Sequence, residues 1–226
     1  MFSQINRHLK RLDARLRRPL AGDLSDPAMR RQANWQFQLM DHAFLRLWWS
    51  NFARVSDGVF RANQPSPARL ARWHKSGIRT VLNLRGDSRQ SFHLLEREAC
   101  DRLGIQLFNI SLSARALPAP EKLIELEALF HSLPKPFVMH CKSGADRAGL
   151  ASALYLMLIE GRPVAEATQQ LHWRFLHLKS SKTGILDQFL HSYTLAYAQS
   201  GVTLMDWIRT GYDPQKITAT FQGRKA

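Results

Sequence analysis

Pro136-Phe137-Val138-Met139 leads into His140-Cys141-Lys142-Ser143-Gly144-Ala145-Asp146-Arg147, and an apolar helical run over residues 148–159 follows. The order reads as strand, tight loop, helix. The strand delivers a thiol to the loop, and the loop opens into a helix N-terminus. There the backbone N–H groups can curl around an anion, and the helix dipole adds partial positive charge. The field that holds a phosphate also favours a thiolate: a free cysteine near 8.5 falls to roughly 3.5–7.5 in such surroundings. Arg147 closes the loop and can grip two phosphate oxygens with its planar fork. The bland alternative, a buried structural cysteine at a strand end, leaves the basic, glycine-containing loop unexplained.

His before Cys, Gly at the third position after it and Arg at the sixth make a C-x5-R signature in its strand–loop–helix context. In this the sequence resembles the cysteine-based protein tyrosine and dual-specificity phosphatases. The resemblance implies that the Cys141 thiolate attacks phosphorus and forms a cysteinyl-phosphate, splitting hydrolysis into two easier steps. Arg147 would bind the phosphoryl oxygens and stabilise the transition state. The backbone of Lys142, Ser143, Gly144, Ala145, Asp146 and Arg147 would form the phosphate cradle. This chemistry needs no metal and no cofactor, and the nine histidines show no ligand spacing such as H-E-x-x-H.

The chain has 226 residues, 45% of them hydrophobic, enough for one α/β domain with extensions. Its formal net charge of +14 calls for anionic partners: a phosphorylated substrate, an anionic membrane surface or nucleic acid. Nucleic acid is set aside, because no RNA- or DNA-binding motif accompanies the charge. The two cysteines, Cys100 and Cys141, suggest neither a disulfide framework nor a zinc site, and a free thiol fits a reducing compartment. Residues 148–159 are too short a run to span a bilayer. The basic start lacks an apolar h-region, so no secretory signal is read. An Arg-rich amphipathic start is also how transit peptides look. The expected place is the cytoplasm, with a peripheral position at the inner membrane face as the alternative.

Three regions are expected: a basic helical extension over 1–54, a catalytic domain over 55–200, and a C-terminal helix and tail over 201–226. In the extension Ile5, Leu9, Leu12, Leu16 and Leu20 recur at helical spacing among arginines and lysines, as in helices that lie on membranes. A second helix is predicted over 29–52, rich in tryptophan and phenylalanine. Packing on the catalytic domain and membrane contact are both open for this extension. Within the catalytic region, strands at 59–61, 78–84, 105–110 and 137–140 alternate with helices at 67–74, 91–103, 118–133, 147–160, 163–172 and 184–198. A last helix is predicted at 204–210. This alternation predicts an α/β fold, a mostly parallel central sheet flanked by helices. Gly58-Val59-Phe60-Arg61 with Gln64-Pro65, and Val81-Leu82-Asn83-Leu84-Arg85, resemble the atypical dual-specificity phosphatases of bacteria, fungi and plants.

Two departures from that family stand out. An aspartate on a separate upstream loop usually protonates the leaving group, yet residues 103–139 hold no aspartate, and their acids Glu121, Glu125 and Glu127 fall on a predicted helix. Asp146 stands beside Arg147 as in the myotubularin lipid phosphatases, and that resemblance makes it the candidate acid; the alternative is a salt bridge alone. Ala148 replaces the usual Ser or Thr that supports the departing thiolate.

Lys142 resembles a position in phosphatases of phosphoinositides and phosphatidylglycerophosphate. Cys100 reads as core, with a resolving thiol for an oxidised Cys141 as the sharper alternative. Three functions follow: a protein tyrosine or dual-specificity phosphatase, a phosphatase of a phosphorylated lipid or lipopolysaccharide component at a membrane surface, and a weakly active binder of phosphorylated ligands.

Overall fold

The computed structural model describes residues 23–224. The basic helix expected within residues 1–22 therefore lies outside the described residues. A five-stranded sheet with order β1-β2-β5-β3-β4 organises the rest. Its strands are β1 (Ala53–Ser56), β2 (Val59–Asn63), β3 (Thr80–Asn83), β4 (Gln106–Asn109) and β5 (Phe137–Cys141). Of the strand pairs, β1–β2 is antiparallel and β2–β5, β5–β3 and β3–β4 are parallel. The expected mostly parallel sheet flanked by helices is what the chain forms. β5 lies at its centre, buried along its whole length, as a two-sided parallel strand must be.

Local chemistry explains the helix ends. Ser66 caps α2 (Pro67–Lys75) by accepting from the Arg69 N–H, with proline at the first helical position. α3 (Ser91–Leu103) stops at Gly104, whose φ of 66° is a glycine conformation. Pro120 starts α4 (Pro120–Ser132). α5 (Asp146–Leu158) is buried from Ala148 through Leu156, so it packs on all sides. A single turn, Val164–Ala167, is all that forms of the helix expected over 163–172; a 3-10 turn, Thr168–Gln170, completes it. α6 (Ile185–Ser200), α7 (Leu204–Thr210) and α8 (Pro214–Gly223) close the chain. Trp207, Tyr212, Phe189 and Tyr193 stack in one aromatic knot that fastens these last helices together.

The side-chain alternation of the strands divides the core. Val59, Leu82, Phe137, Met139 and Cys141 face α5 and the C-terminal helices. Ala62, Val81 and Val138 face the opposite side, with Leu70, Trp73, Ala99 and Cys100. The two thiols thus belong to opposite sides of the sheet. Burial pushes the Cys100 thiol up, and the nearby Glu96 adds to the shift, which suits a core residue.

The helix expected over 29–52 is the main correction. The chain forms α1 (Pro27–Trp35), a π turn over Gln36–Met40 and a 3-10 turn over Ala43–Leu47, then runs irregularly into β1. His42 and Asn51 take left-handed φ values of 59° and 50°, which a continuous helix forbids. Tertiary bonds to Asp41, Arg46 and Asn51 outweigh the local periodicity here. No helix among the described residues is long and apolar enough to cross a membrane.

Candidate active site

Residues 141–147 join the end of β5 to the start of α5. Gly144 makes the turn: its φ is 73°, and a Cβ there would lie 2.8 Å from the Ala62 carbonyl carbon and the Asn63 nitrogen. Only glycine lets the loop lie on the β2 backbone in this way. The Cys141 thiol is buried, and the Gly144 N–H donates to its sulfur at 3.3 Å. The Ala145 N–H donates to Ser143 Oγ at 3.3 Å. Two amides assigned to the cradle by sequence therefore have local partners, one of them the thiol itself. Arg147 follows in the first turn of α5, and its buried Nε has no hydrogen-bond partner among the described residues. A buried guanidinium N–H without a partner is costly, and an anion in the loop would relieve it.

Three neighbouring segments fix the loop. From the N-terminal segment, Asn51 Nδ2 donates to Ser143 O at 3.0 Å and to Phe175 O at 2.9 Å. The Gln64 N–H donates to Lys142 O at 3.3 Å. Behind the loop, Glu96 lies 2.7 Å from His140 Nε2 and accepts from Gln64 Nε2 at 3.0 Å. Both Glu96 and His140 are fully buried, so this pair belongs to the support of the strand end.

Asp41 forms the flank beside Lys142. Its carboxylate meets Arg46 at 2.6 Å, Arg85 at 2.7 Å and Lys142 at 3.6 Å. Burial works to raise its pKa, but Arg85, Arg46 and Lys142 overcome it and hold the carboxyl below the usual range. Arg85 also lies over the Phe92 ring and donates to Gln64 Oε1. A cavity of about 240 Å³ opens here, lined in part by Asp41, Arg85, Phe92 and Lys142. The positive charge expected of Lys142 is thus shared with a carboxylate that the sequence did not point to.

The other flank holds Asp146. Its Oδ1 lies 2.8 Å from His177 Nδ1, and His177 Nε2 lies 2.6 Å from Asp187 Oδ2. Burial alone would lower the imidazole pKa; the two carboxylates more than offset it and raise it to about 9. His177 is therefore an imidazolium at neutral pH and donates to both acids. Lys179 stands 3.6 Å from Asp187. The salt bridge weighed for Asp146 exists, and its partner is His177. Ala148 is fully buried, and no hydroxyl stands at its position.

Sequence reasoning missed Asp41, Asn51, Arg61, His177 and Asp187 as neighbours of the loop. Arg61 and Gln64 lie in one of the two segments singled out for their resemblance, and Arg85 ends the other; all three bond to the loop or its flank. For Asp41 and His177 the sequence carried no such signal.

The family described as "DSP-PTPase phosphatase fused to NAD+ Kinase" matches residues 51–185, more than half of the chain. The inositol diphosphatase DSP4 of Arabidopsis thaliana is 28% identical over 104 residues, 44% of this chain and 51% of that protein. The chain thus spans about half the length of this curated relative. Among solved structures, P. aeruginosa TpbA superposes with a TM-score of 0.50 at 20% identity, covering 66% of this chain and 91% of that one. The core catalytic domain of the PP-IP phosphatase SIW14 from S. cerevisiae gives 0.51 at 15% identity, covering 67% and 93%. These likenesses establish the shared fold.

Proposed function

Because the chain belongs to the DSP-PTPase phosphatase family, we propose that it is a metal-independent phosphomonoesterase acting through a cysteinyl-phosphate on Cys141. The observation that carries this is one short loop that holds a buried thiol bonded by the Gly144 N–H and, at the opening of α5, a buried Arg147 Nε without a partner among the described residues. In the first step the Cys141 sulfur bonds to phosphorus and the ester oxygen leaves with a proton. Asp146 delivers that proton. The pair holds one transferable proton, which rests on His177 Nδ1 against Asp146 Oδ1; it passes through the Asp146 carboxyl to the ester oxygen and leaves a neutral imidazole beside an ionised carboxylate. Asp187 keeps the imidazole in place. In the second step water attacks phosphorus, the S–P bond breaks and inorganic phosphate leaves. Ala148 gives the departing thiolate no hydroxyl, so this step is expected to limit the rate.

A phosphorylated tyrosine, serine or threonine in a protein is the first substrate class. The test is phosphate release in the presence of a chelator, from phosphopeptides, an inositol pyrophosphate and anionic phospholipids, with Cys141→Ser as control. Release that vanishes in Cys141→Ser is the expected result; release that survives in it overturns the mechanism.

One observation favours a second reading, at a membrane surface. Exposed apolar residues stand on both segments that touch the loop. Leu47 and Trp48 (93% exposed) precede Asn51, while Trp173 (71% exposed), Leu176 and Leu178 surround Phe175. Amphipathic tryptophans next to arginines suit a headgroup boundary. Trp48→Ser with Trp173→Ser should lower binding to phosphatidylglycerol vesicles while leaving turnover of a soluble phosphoester unchanged. Undiminished vesicle binding would discard this reading.

A further inference from the structure

Arg61 is a fully buried arginine in the middle of β2. The alternation of that strand puts Arg61 on the face of Val59, toward the loop and α5, and Ala62 on the other. Burying a guanidinium is expensive unless its charge and donors are matched. Both terminal nitrogens are matched, while the buried Nε has no partner among the described residues. Nη1 donates to Gln170 O at 2.6 Å and to Gln170 Oε1 at 3.0 Å. Nη2 donates to Gly144 O at 2.5 Å and to Ala145 O at 3.1 Å. The guanidinium stacks 3.8 Å from the Phe175 ring centre. Its charge is matched differently: among the described residues no carboxylate forms an ion pair with it. A cation buried only for stability would ordinarily have one.

We propose that Arg61 is the positioning residue of the phosphate cradle, holding the carbonyls of Gly144 and Ala145 beneath the loop so that its amides turn outward to the phosphoryl group. The geometry follows from the planar trans peptide, in which C=O and the next N–H point opposite ways. With the Gly144 carbonyl held down, the Ala145 N–H points away from Arg61, where Ser143 Oγ accepts from it at 3.3 Å in a place a phosphoryl oxygen would take; with the Ala145 carbonyl down, where the Gly149 N–H also reaches it at 3.2 Å, the Asp146 N–H points the same way. Neither peptide can flip without abandoning the fork. Gly149 completes the arrangement: a Cβ there would lie 2.8 Å from Gln170 O and 3.4 Å from Arg61 Nη2, so only a glycine lets α5 approach this close. The missing counter-charge is the site's own. Burial drives the Arg61 pKa down to about 9 with help from the nearby Arg174, and charge on Cys141 and Asp146 opposes the fall. A phosphoryl group above the loop would add to that balance.

This inference rests on the reading of the loop as a phosphate cradle. Its test uses the full chain and inorganic phosphate as probe, so it depends on no particular substrate. Phosphate binding is measured by calorimetry in a Cys141→Ser background, and kcat and KM with the thiol present. Arg61→Lys keeps the charge but cannot span four acceptors on two segments. It should fold, weaken phosphate binding about tenfold or more and lower kcat by about 10²-fold, as loss of oriented oxyanion donors does. Arg61→Ala should regain part of its turnover with added guanidinium ion and none with added ammonium, a rescue that a purely structural role would not show. Phe175→Leu removes only the stacking ring and should cost a smaller factor in kcat with little change in melting temperature; it carries the decision if both Arg61 variants fail to fold. Folded variants that bind phosphate and turn over like the parent overturn the proposal. Absence of phosphate binding by the parent chain would instead remove the cradle reading, and this inference with it.

Discussion

Two buried charges flank the phosphate loop, and they are built in opposite ways. Asp41 is a carboxylate ringed by three cations, Arg46, Arg85 and Lys142. Among the described residues, Arg61 is a cation met only by carbonyl oxygens and an aromatic face. The Asp41 cluster is complete within itself: it ties the N-terminal segment to Arg85 after β3 and to Lys142 in the loop, and it carries spare positive charge. The Arg61 cluster is incomplete without an anion above it. The difference separates a clasp, which stabilises the fold, from a support, whose charge balance includes the reacting group.

The sharpest way to break this comparison is Asp41→Asn. It leaves Arg46 and Arg85 buried without a counter-charge, and breaking such a buried pair costs about 3–5 kcal/mol. We expect a large drop in the urea midpoint with an unchanged m-value, and kcat per folded molecule close to that of the parent. A large fall in kcat in the folded variant would place Asp41 with the chemistry instead of the clasp.

A second test addresses the acid on the opposite flank. Asp146→Asn should reduce turnover of an alkyl phosphate by about 10²-fold or more, the size of a general-acid contribution. It should reduce turnover of an aryl phosphate with a good leaving group far less. His177→Gln should show the same selectivity in milder form. Equal effects on both ester types would leave Asp146 as a salt-bridge residue only.

A smaller effect comes from pH. His177 is raised from its ordinary value of 6.5 to about 9 in the folded chain. A raised pKa means that the folded state holds the proton more tightly than the unfolded one. The stabilisation is complete below about 6.5 and fades as pH rises through about 9. The melting temperature should therefore fall across that window, and His177→Gln should flatten the fall. An identical slope in the variant would show that other groups set it.

Much of the frame was legible because its signals are local. Gly104 stops α3, Pro120 starts α4, and the apolar run after Arg147 becomes the buried α5. The loop was legible for the same reason, since Cys141, Gly144 and Arg147 lie in one short stretch whose spacing carries the chemistry. What surrounds the loop was not. Arg61, Asp41, Asn51 and His177 reach it from segments far away in sequence, and no periodicity announces such contacts. Residues 36–52 failed as a helix for a related reason: Asp41, Arg46 and Asn51 are spent on tertiary bonds that a regular helix could not make. Even Asp146, singled out by its place beside Arg147, is paired with a histidine thirty-one residues further on.

The covalent step is the centre of the account, and rapid acid quench followed by mass spectrometry of the Cys141 peptide tests it most directly. During turnover of an aryl phosphate, a phosphate adduct should build up on Cys141, because Ala148 leaves its hydrolysis unassisted, and Cys141→Ser should carry none. Full turnover with no adduct on Cys141, or an adduct on another side chain such as His140, would contradict the account.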